Sequence, residues 1–291
     1  MRASRFAFPI VWTTLGSLVV ALPGCASGPP VFEKPPVRVV CTTTMIADMV
    51  NRVGGDRVTV DTLMGPGIDP HRYQPTAGDR AKIGRAHLVF FNGLHLEGKM
   101  TDTFEKSSGR IRGYAVTALL DRAELRHADV DGGEHDPHVW FAVPLWSKCV
   151  PVVRDALVAL DPAGRDTYER SAAEYVKELD ALDREVRAEL AQVSPTDKRV
   201  LVTSHDAFGY FGRAYGFEVR GLQGVSTASE SGTKDVKDLV DFLCKNKVPA
   251  VFTETSVPEA GLKTVLDACK RDHGHTVSLV GGEDALYSDA L

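Results

Sequence analysis

The sequence predicts an α/β protein of two lobes, each a mostly parallel sheet flanked by helices, joined by one long rigid helix. Short apolar runs of β character alternate with helical patterns, the arrangement that builds parallel sheets. One segment, beginning at Asp161, keeps a helical apolar repeat for longer than a single small domain needs. Once an export signal and its tether are set aside, about 255 residues remain, enough for one large or two smaller cores.

The chain opens with Arg2 and Arg5, then an apolar stretch from Phe6 to Ala21 broken by Pro9, Thr13, Thr14, Gly16 and Ser17. A basic start before a short, interrupted apolar core is a secretory signal rather than a membrane span, and residues 1–24 are assigned to it. Leu22-Pro23-Gly24-Cys25 resembles a bacterial lipobox, in which the cysteine is acylated and becomes the mature N-terminus. An ordinary cleaved signal with an incidental cysteine is the alternative. Residues 25–36, rich in Pro, Gly and Ser, read as a lipidated tether, with nothing structured before about Val37.

Strands are expected at Val37–Cys41, Val58–Leu63, Leu88–Phe91, Arg199–Thr203, Ala250–Thr253 and Thr276–Val280. Helices are expected at Met45–Val53, Ala77–Arg85, Leu145–Leu160, Lys234–Asn246 and Glu259–Asp272. Between these sets, Asp161-Pro162 supplies an N-cap and a first-turn proline. Tyr168, Ala172, Tyr175, Leu179, Leu182, Val186, Leu190 and Val193 then recur at three- and four-residue steps before Pro195. From Arg165 to Val193 this helix spans roughly 43 Å, and its apolar stripe is expected to face both halves at once. A coiled-coil seam would need sustained heptads, which the segment lacks. The chain therefore divides into a lobe over 37–160, a connecting helix over 161–195 and a lobe over 196–291, of similar architecture but without a tandem repeat. A continuous helix packed on both lobes resists bending, so wide closure is not expected.

Removing residues 1–24 takes away two arginines and no acid, moving the formal charge from −5 to −7. A mildly acidic body argues against a nucleic-acid partner and is compatible with a cationic ligand. Five cysteines are too few for a disulfide scaffold in a chain this long. Cys41 and Cys149 lie in apolar runs and read as buried small hydrophobes. Cys244 and Cys269 sit late in two successive helical patterns, where export permits either a bridge or two free thiols.

The chemistry is concentrated in histidines. Asp-Pro-His occurs twice, at Asp69-Pro70-His71 and Asp136-Pro137-His138, and a third loop histidine, His205, follows the apolar run Leu201-Val202-Thr203-Ser204. Proline fixes its own φ and restricts the residue before it, so each tripeptide holds an imidazole on a stiffened loop with a carboxylate two residues away. Preorganised imidazoles suit zinc and its neighbours. His71, His205 and Asp289 all follow strand-like runs, and ligands of open parallel sheets gather beyond the carboxyl ends of strands. A cleft ligand held from both lobes follows. His87 reads as a strand edge, and nothing chemical singles out His95, His273 or His275.

Four blocks carry a family resemblance: Gly67-Ile68-Asp69-Pro70-His71 with Tyr73-Gln74-Pro75-Thr76, then Asp136-Pro137-His138-Val139-Trp140, then Ser204-His205-Asp206-Ala207-Phe208-Gly209-Tyr210, and last Leu286-Tyr287-Ser288-Asp289. Over nearly all of Val37–Leu291 the chain resembles the metal-specific substrate-binding proteins (cluster A-I, or cluster 9) of bacterial zinc and manganese ABC transporters. The resemblance implies four metal ligands, His71, His138, His205 and Asp289, and makes the long helix a rigid lobe connector. Manganese members commonly carry a carboxylate in place of His205, so three imidazoles and one carboxylate favour Zn2+, with Mn2+ and Fe2+ as alternatives. Where zinc members often have a long histidine-rich loop, Arg126–His135 is a stub, read as a solvated turn in preference to a weak capture loop. Relatives continue beyond the position of Asp289, so a fragment or truncated product is expected.

The implied function is capture without catalysis. A monomeric, lipid-anchored receptor of the cell envelope would bind the metal between its lobes and hand it to an ABC transporter permease. Two other readings stand beside it. One is an adhesin or structural lipoprotein with an incidental metal. The other is a zinc-dependent hydrolase, for which the sequence shows neither His-Glu-x-x-His nor an activated nucleophile.

Overall fold

The computed structural model describes residues 31–105, 111–130, 133–193 and 199–289. The signal segment, Cys25, the first part of the tether and the far end of the expected connecting helix, at Ser194 and Pro195, lie outside the described residues.

In the first lobe, β1 (Val37–Cys41) pairs in parallel with β2 (Val58–Thr62) and β3 (Leu88–Phe91), and β3 with β4 (Gly113–Ala115), in the order β2-β1-β3-β4. Successive strand residues point to opposite faces. Val37, Val39, Cys41, Leu88 and Phe90 therefore enter one core with α1 (Thr44–Gly54). Val40, Val89 and Phe91 enter another with Ala86 after α2 (Ala77–Arg85) and with Met100 and Phe104 of α3 (Lys99–Glu105). Burial on both faces explains why β3 reads as an unbroken apolar run and β1 as one interrupted only by exposed Arg38. His87 does mark a strand edge: its Nδ1 accepts from the Arg38 backbone N–H at 3.0 Å.

Between Arg126 and His135 the described residues form two paired strands, more than the turn expected. Here β5 (His127–Val130) pairs antiparallel with β6 (Gly133–His135), His127 opposite His135. Its polar strands lack the apolar alternation that would announce them. The single helix expected over Leu145–Leu160 is two, α4 (Val143–Ser147) and α5 (Val150–Leu160). Pro151, which has no N–H to donate, sits in the first turn of the second.

The long helix α6 (Arg165–Ala191) is continuous over 27 residues, but its stripe does not face both lobes. Tyr168, Ala172, Tyr175 and Leu179 bury in the first core, whereas Leu182 is 43% exposed. Past Leu179 the sequence turns charged, and the link onward is polar. In the second lobe, β7 (Val200–His205) leads to α7 (Gly209–Tyr215). Tyr215 Oη donates to Asp183 at 3.0 Å, and Arg187 donates to the Ala214 carbonyl at 3.0 Å. Tyr210 of α7 is itself part of the first core. The lobes are thus keyed together by α7 as well as by α6.

β7 pairs in parallel with β8 (Glu218–Gln223). After α8 (Thr233–Asn246), β9 (Ala250–Phe252) pairs in parallel with β10 (Ser278–Val280), which follows α9 (Ala260–His273). Since β9 lies beside β7, the spatial order β8-β7-β9-β10 repeats that of the first lobe.

One further expectation needs correction, and one pair left open is seen in one of its two states. Phe32 packs on the first core and meets the His87 ring edge-on at 5.5 Å, so ordered packing starts before Val37. Of the two states open to Cys244 and Cys269, the structure holds them as free thiols. They lie within hydrogen-bonding reach of each other, and burial first, then the Cys244 contact, pushes the Cys269 thiol up to about 12.

Candidate metal centre

The two Asp-Pro-His loops fold alike. In each, the aspartate Oδ1 accepts the backbone N–H of the histidine two residues on, at 2.9 Å for Asp69–His71 and 2.9 Å for Asp136–His138. This is the Asx turn that a short carboxylate side chain forms with its own backbone. The second oxygen anchors each loop elsewhere. Asp69 Oδ2 accepts from Thr227 Oγ1 of the second lobe at 2.6 Å, and Asp136 Oδ2 pairs with the Arg126 guanidinium. Gly67, at φ +78°, allows the first loop its left-handed bend.

His205 is the last residue of β7 and Asp289 follows β10, both beyond strand carboxyl ends. With the Asp-Pro-His loops they bring four donor atoms together, one each from His71, His138, His205 and Asp289, all within 4.8 Å of one another. His138 Nε2 lies 3.2 Å from His71 Nε2, 3.4 Å from His205 Nε2 and 3.3 Å from Asp289 Oδ1. His205 Nε2 is 3.5 Å from Asp289 Oδ2. A tetrahedron with metal–ligand bonds of about 2.0–2.1 Å places its donors roughly 3.3–3.4 Å apart. Asp289 Oδ1 is buried and accepts no hydrogen bond, as an oxygen meant for a cation would be.

The outer partners orient the rings. Asp136 Oδ1 lies 2.7 Å from His138 Nδ1, and Glu254 Oε2 lies 2.5 Å from His205 Nδ1 while its Oε1 accepts the His205 N–H at 2.8 Å. At His138 a hydrogen-bonded carboxylate fixes Nδ1, and at His205 the Glu254 carboxylate stands against Nδ1, so Nε2 faces inward in both. Ser256 Oγ donates to Asp289 Oδ2 at 3.1 Å. Sequence reasoning missed Glu254, Thr227 and Ser256. Glu254 lies just past β9 and was open to the same strand-end rule that located His205; the two hydroxyls carried no such signal.

Charge in the site is shared between imidazoles and carboxylates. Burial drives the pKa of His71 down to about 3. Burial also opposes charging of His138 and His205, but Asp136 and Asp289 outweigh it at the first, raising it. Asp289 and Glu254 outweigh it at the second, raising it well above the usual value. Burial alone would raise Asp289, yet His205 and His138 hold its carboxyl well below the carboxylate range. Asp69 is raised, chiefly by burial.

His71 is the least buried of the four and lines a cavity of about 360 Å³ with Arg72, Tyr73, His95 and Lys99. His95 shares this entrance without being one of the converging donors.

Comparison with known proteins identifies the family. The family described as zinc-uptake complex component A, periplasmic, matches residues 39–291. The manganese-binding lipoprotein MntA of Bacillus subtilis is 44% identical over 255 residues, covering 88% of this chain and 81% of that protein. The zinc-binding protein TroA of Treponema pallidum is 46% identical over 253 residues, covering 87% and 80%. The solved structure of the periplasmic zinc-binding TroA from Treponema pallidum superposes with a TM-score of 0.81 at 45% identity, covering 89% of this chain and 90% of that one.

Proposed function

This chain belongs to the periplasmic zinc-uptake component A family, and from that premise we propose that it captures a divalent transition metal on His71, His138, His205 and Asp289 and delivers it to an ABC transporter permease. The observation that carries the proposal is the convergence of four donors within 4.8 Å of one another, with His138 Nε2 3.2 Å from His71, 3.4 Å from His205 and 3.3 Å from Asp289. Three imidazoles and one carboxylate match zinc on ligand type, while manganese and ferrous iron remain chemically compatible. The relatives divide in the same way, one described by manganese and another by zinc.

Four protein donors complete a tetrahedral shell, whereas a catalytic zinc keeps one position for water. That supports a carrier without enzymatic activity. We read residues 37–160 and 196–291 as the lobes that supply the ligands, with 161–195 between them. Cys25 is read as the acylated residue that anchors a monomer to the envelope membrane. Cys25→Ser would then release the protein from the detergent-extracted fraction.

Because binding free energies are reciprocal, a permease state that lowers metal affinity is itself bound less well by the loaded protein. The central test combines elemental analysis of protein purified from its own envelope with competition titration of variants. His71→Ala, His138→Ala and His205→Ala should each lose affinity by orders of magnitude, and His95→Ala should retain it. Equal losses at His95 and His71 would overturn the ligand assignment. Metal at about 100 times its Kd should stabilise the wild type by roughly 2.7 kcal/mol, an increment the ligand variants lose.

A further inference from the structure

Asp289 reaches the first-lobe histidines from the second lobe, and its segment is tied mainly to its own side. Leu286 N–H donates to the Thr253 carbonyl at 2.9 Å, Thr255 N–H donates to the Leu286 carbonyl at 2.9 Å, and Ser256 Oγ and Ser288 Oγ share a hydrogen bond at 2.7 Å. The tie across the cleft comes from a tryptophan. Trp140 Nε1 donates to the Ser288 carbonyl at 2.9 Å, joining the residue two past His138 to the peptide that leads into Asp289. Ser288 is fully buried, so its carbonyl has no water to turn to if the indole is withdrawn.

The same ring touches the other side of the site. It stands edge-on to His138 at 5.2 Å, between centroids, and continues through Phe141 at 5.7 Å to Phe208 at 4.3 Å, three residues beyond His205. Trp140 thus meets one candidate ligand edge-on and the peptide leading into another through its N–H. Resting on the metal-capture reading above, we propose that Trp140 is the positioning residue that latches Asp289 into the shell, and that breaking its bond to Ser288 is the step that opens the shell for metal release. Withdrawal of Asp289 leaves three histidines and an open position that water or the receiving site takes. The latch acts on departure rather than arrival, since His71, the least buried of the four, lines the cavity and is not held by Trp140.

The experiment compares wild type, Trp140→Phe and Trp140→Leu, loaded with zinc alone. Dissociation is followed by stopped-flow transfer to a chelator and association by indicator competition. Trp140→Phe keeps an aromatic ring beside His138 but loses the N–H. It should raise the dissociation rate about tenfold, the loss of one buried hydrogen bond, with association changed less than twofold. Trp140→Leu should be at least as fast. A fast Trp140→Leu beside a normal Trp140→Phe would assign the effect to ring packing and overturn the latch, as would equal slowing of association. In Trp146→Phe, the Trp140 emission should change on zinc loading; no change would also count against it. Failure of the wild type to bind any metal would instead remove the capture reading, which separates the two ideas. Apo-protein unfolding of each variant checks that the fold is retained.

Discussion

Asp136 Oδ1 holds His138 twice, accepting its backbone N–H at 2.9 Å and facing its ring Nδ1 at 2.7 Å, so one carboxylate oxygen sets both the loop and the imidazole of a buried ligand. Outer partners of this kind typically tune metal affinity by 10–100-fold when removed. Asp136→Asn should lower zinc affinity by about that factor while leaving the far-ultraviolet circular dichroism unchanged. Competition titration measures it, and an unchanged Kd would show that packing alone orients the ring.

Gly209 tests the same carboxylate from a distance. A Cβ there would lie within bonding distance of the Arg126 guanidinium, which pairs with Asp136 and lies 3.5 Å from Asp206. Arg126 is a flexible side chain, so Gly209→Ala should displace it rather than unfold the protein. The expected outcome is a fall in zinc affinity of about tenfold, smaller than for Asp136→Asn, because His138 keeps its carboxylate but the carboxylate loses its counter-charge. Wild-type affinity in Gly209→Ala would mean that Arg126 does not support the site.

Much of this architecture was legible because burial leaves marks in composition. β3, covered on both faces, read as a continuous apolar run, β1 as one broken only by exposed Arg38, and α2 formed at its expected bounds, closed by a Thr76–Asp79 capping box. The doubled Asp-Pro-His stood out because proline and a short carboxylate shape a loop locally. What stayed hidden depended on contacts distant in sequence. The sequence spacing of α6 could not reveal that its stripe is covered only as far as Leu179, and the bonds of Thr227 to Asp69 and of Trp140 to Ser288 span 158 and 148 residues. β4 and β8 were missed because a short or polar edge strand is set by its neighbour's ladder more than by its own pattern.

Asp79 links acid stability to the loop that carries His71. Its Oδ2 accepts from Tyr73 Oη at 2.7 Å, Thr76 N–H at 2.8 Å and Thr76 Oγ1 at 2.6 Å, closing a capping box on α2. Burial works against the charge, but the bonds from Thr76 and Tyr73 outweigh it and hold the carboxyl below its ordinary 3.8. A depressed folded-state pKa means the stabilisation is present above the unfolded value and is lost as pH falls through the folded one. Asp79→Asn should therefore be less stable than wild type by about 1 kcal/mol near pH 7, with the gap closing below about pH 4. Urea unfolding of the apo proteins across that range decides it, and a gap that did not narrow as the pH fell below about 4 would refute the assignment.

His205 carries the selectivity argument, and Glu254 complicates it. Imidazole at this position matches zinc, and a carboxylate in its place would give the shell more of the oxygen character that suits manganese. Alone, His205→Glu would place a second carboxylate against Glu254, whose Oε2 now lies 2.5 Å from His205 Nδ1, and beside Asp289. Like charges at that range disfavour joint ionisation, so the single variant should bind both metals poorly. Adding Glu254→Gln removes one charge and leaves an acceptor and a donor in the same place. The double variant should recover binding and narrow the zinc-to-manganese ratio by about tenfold or more, even though zinc still binds more strongly as the divalent series requires. Competition titration of wild type, single and double variants with both metals measures this. A ratio in the double variant equal to that of wild type would show that the spacing of His71, His138 and Asp289, and not the chemistry of the fourth donor, sets the choice of metal.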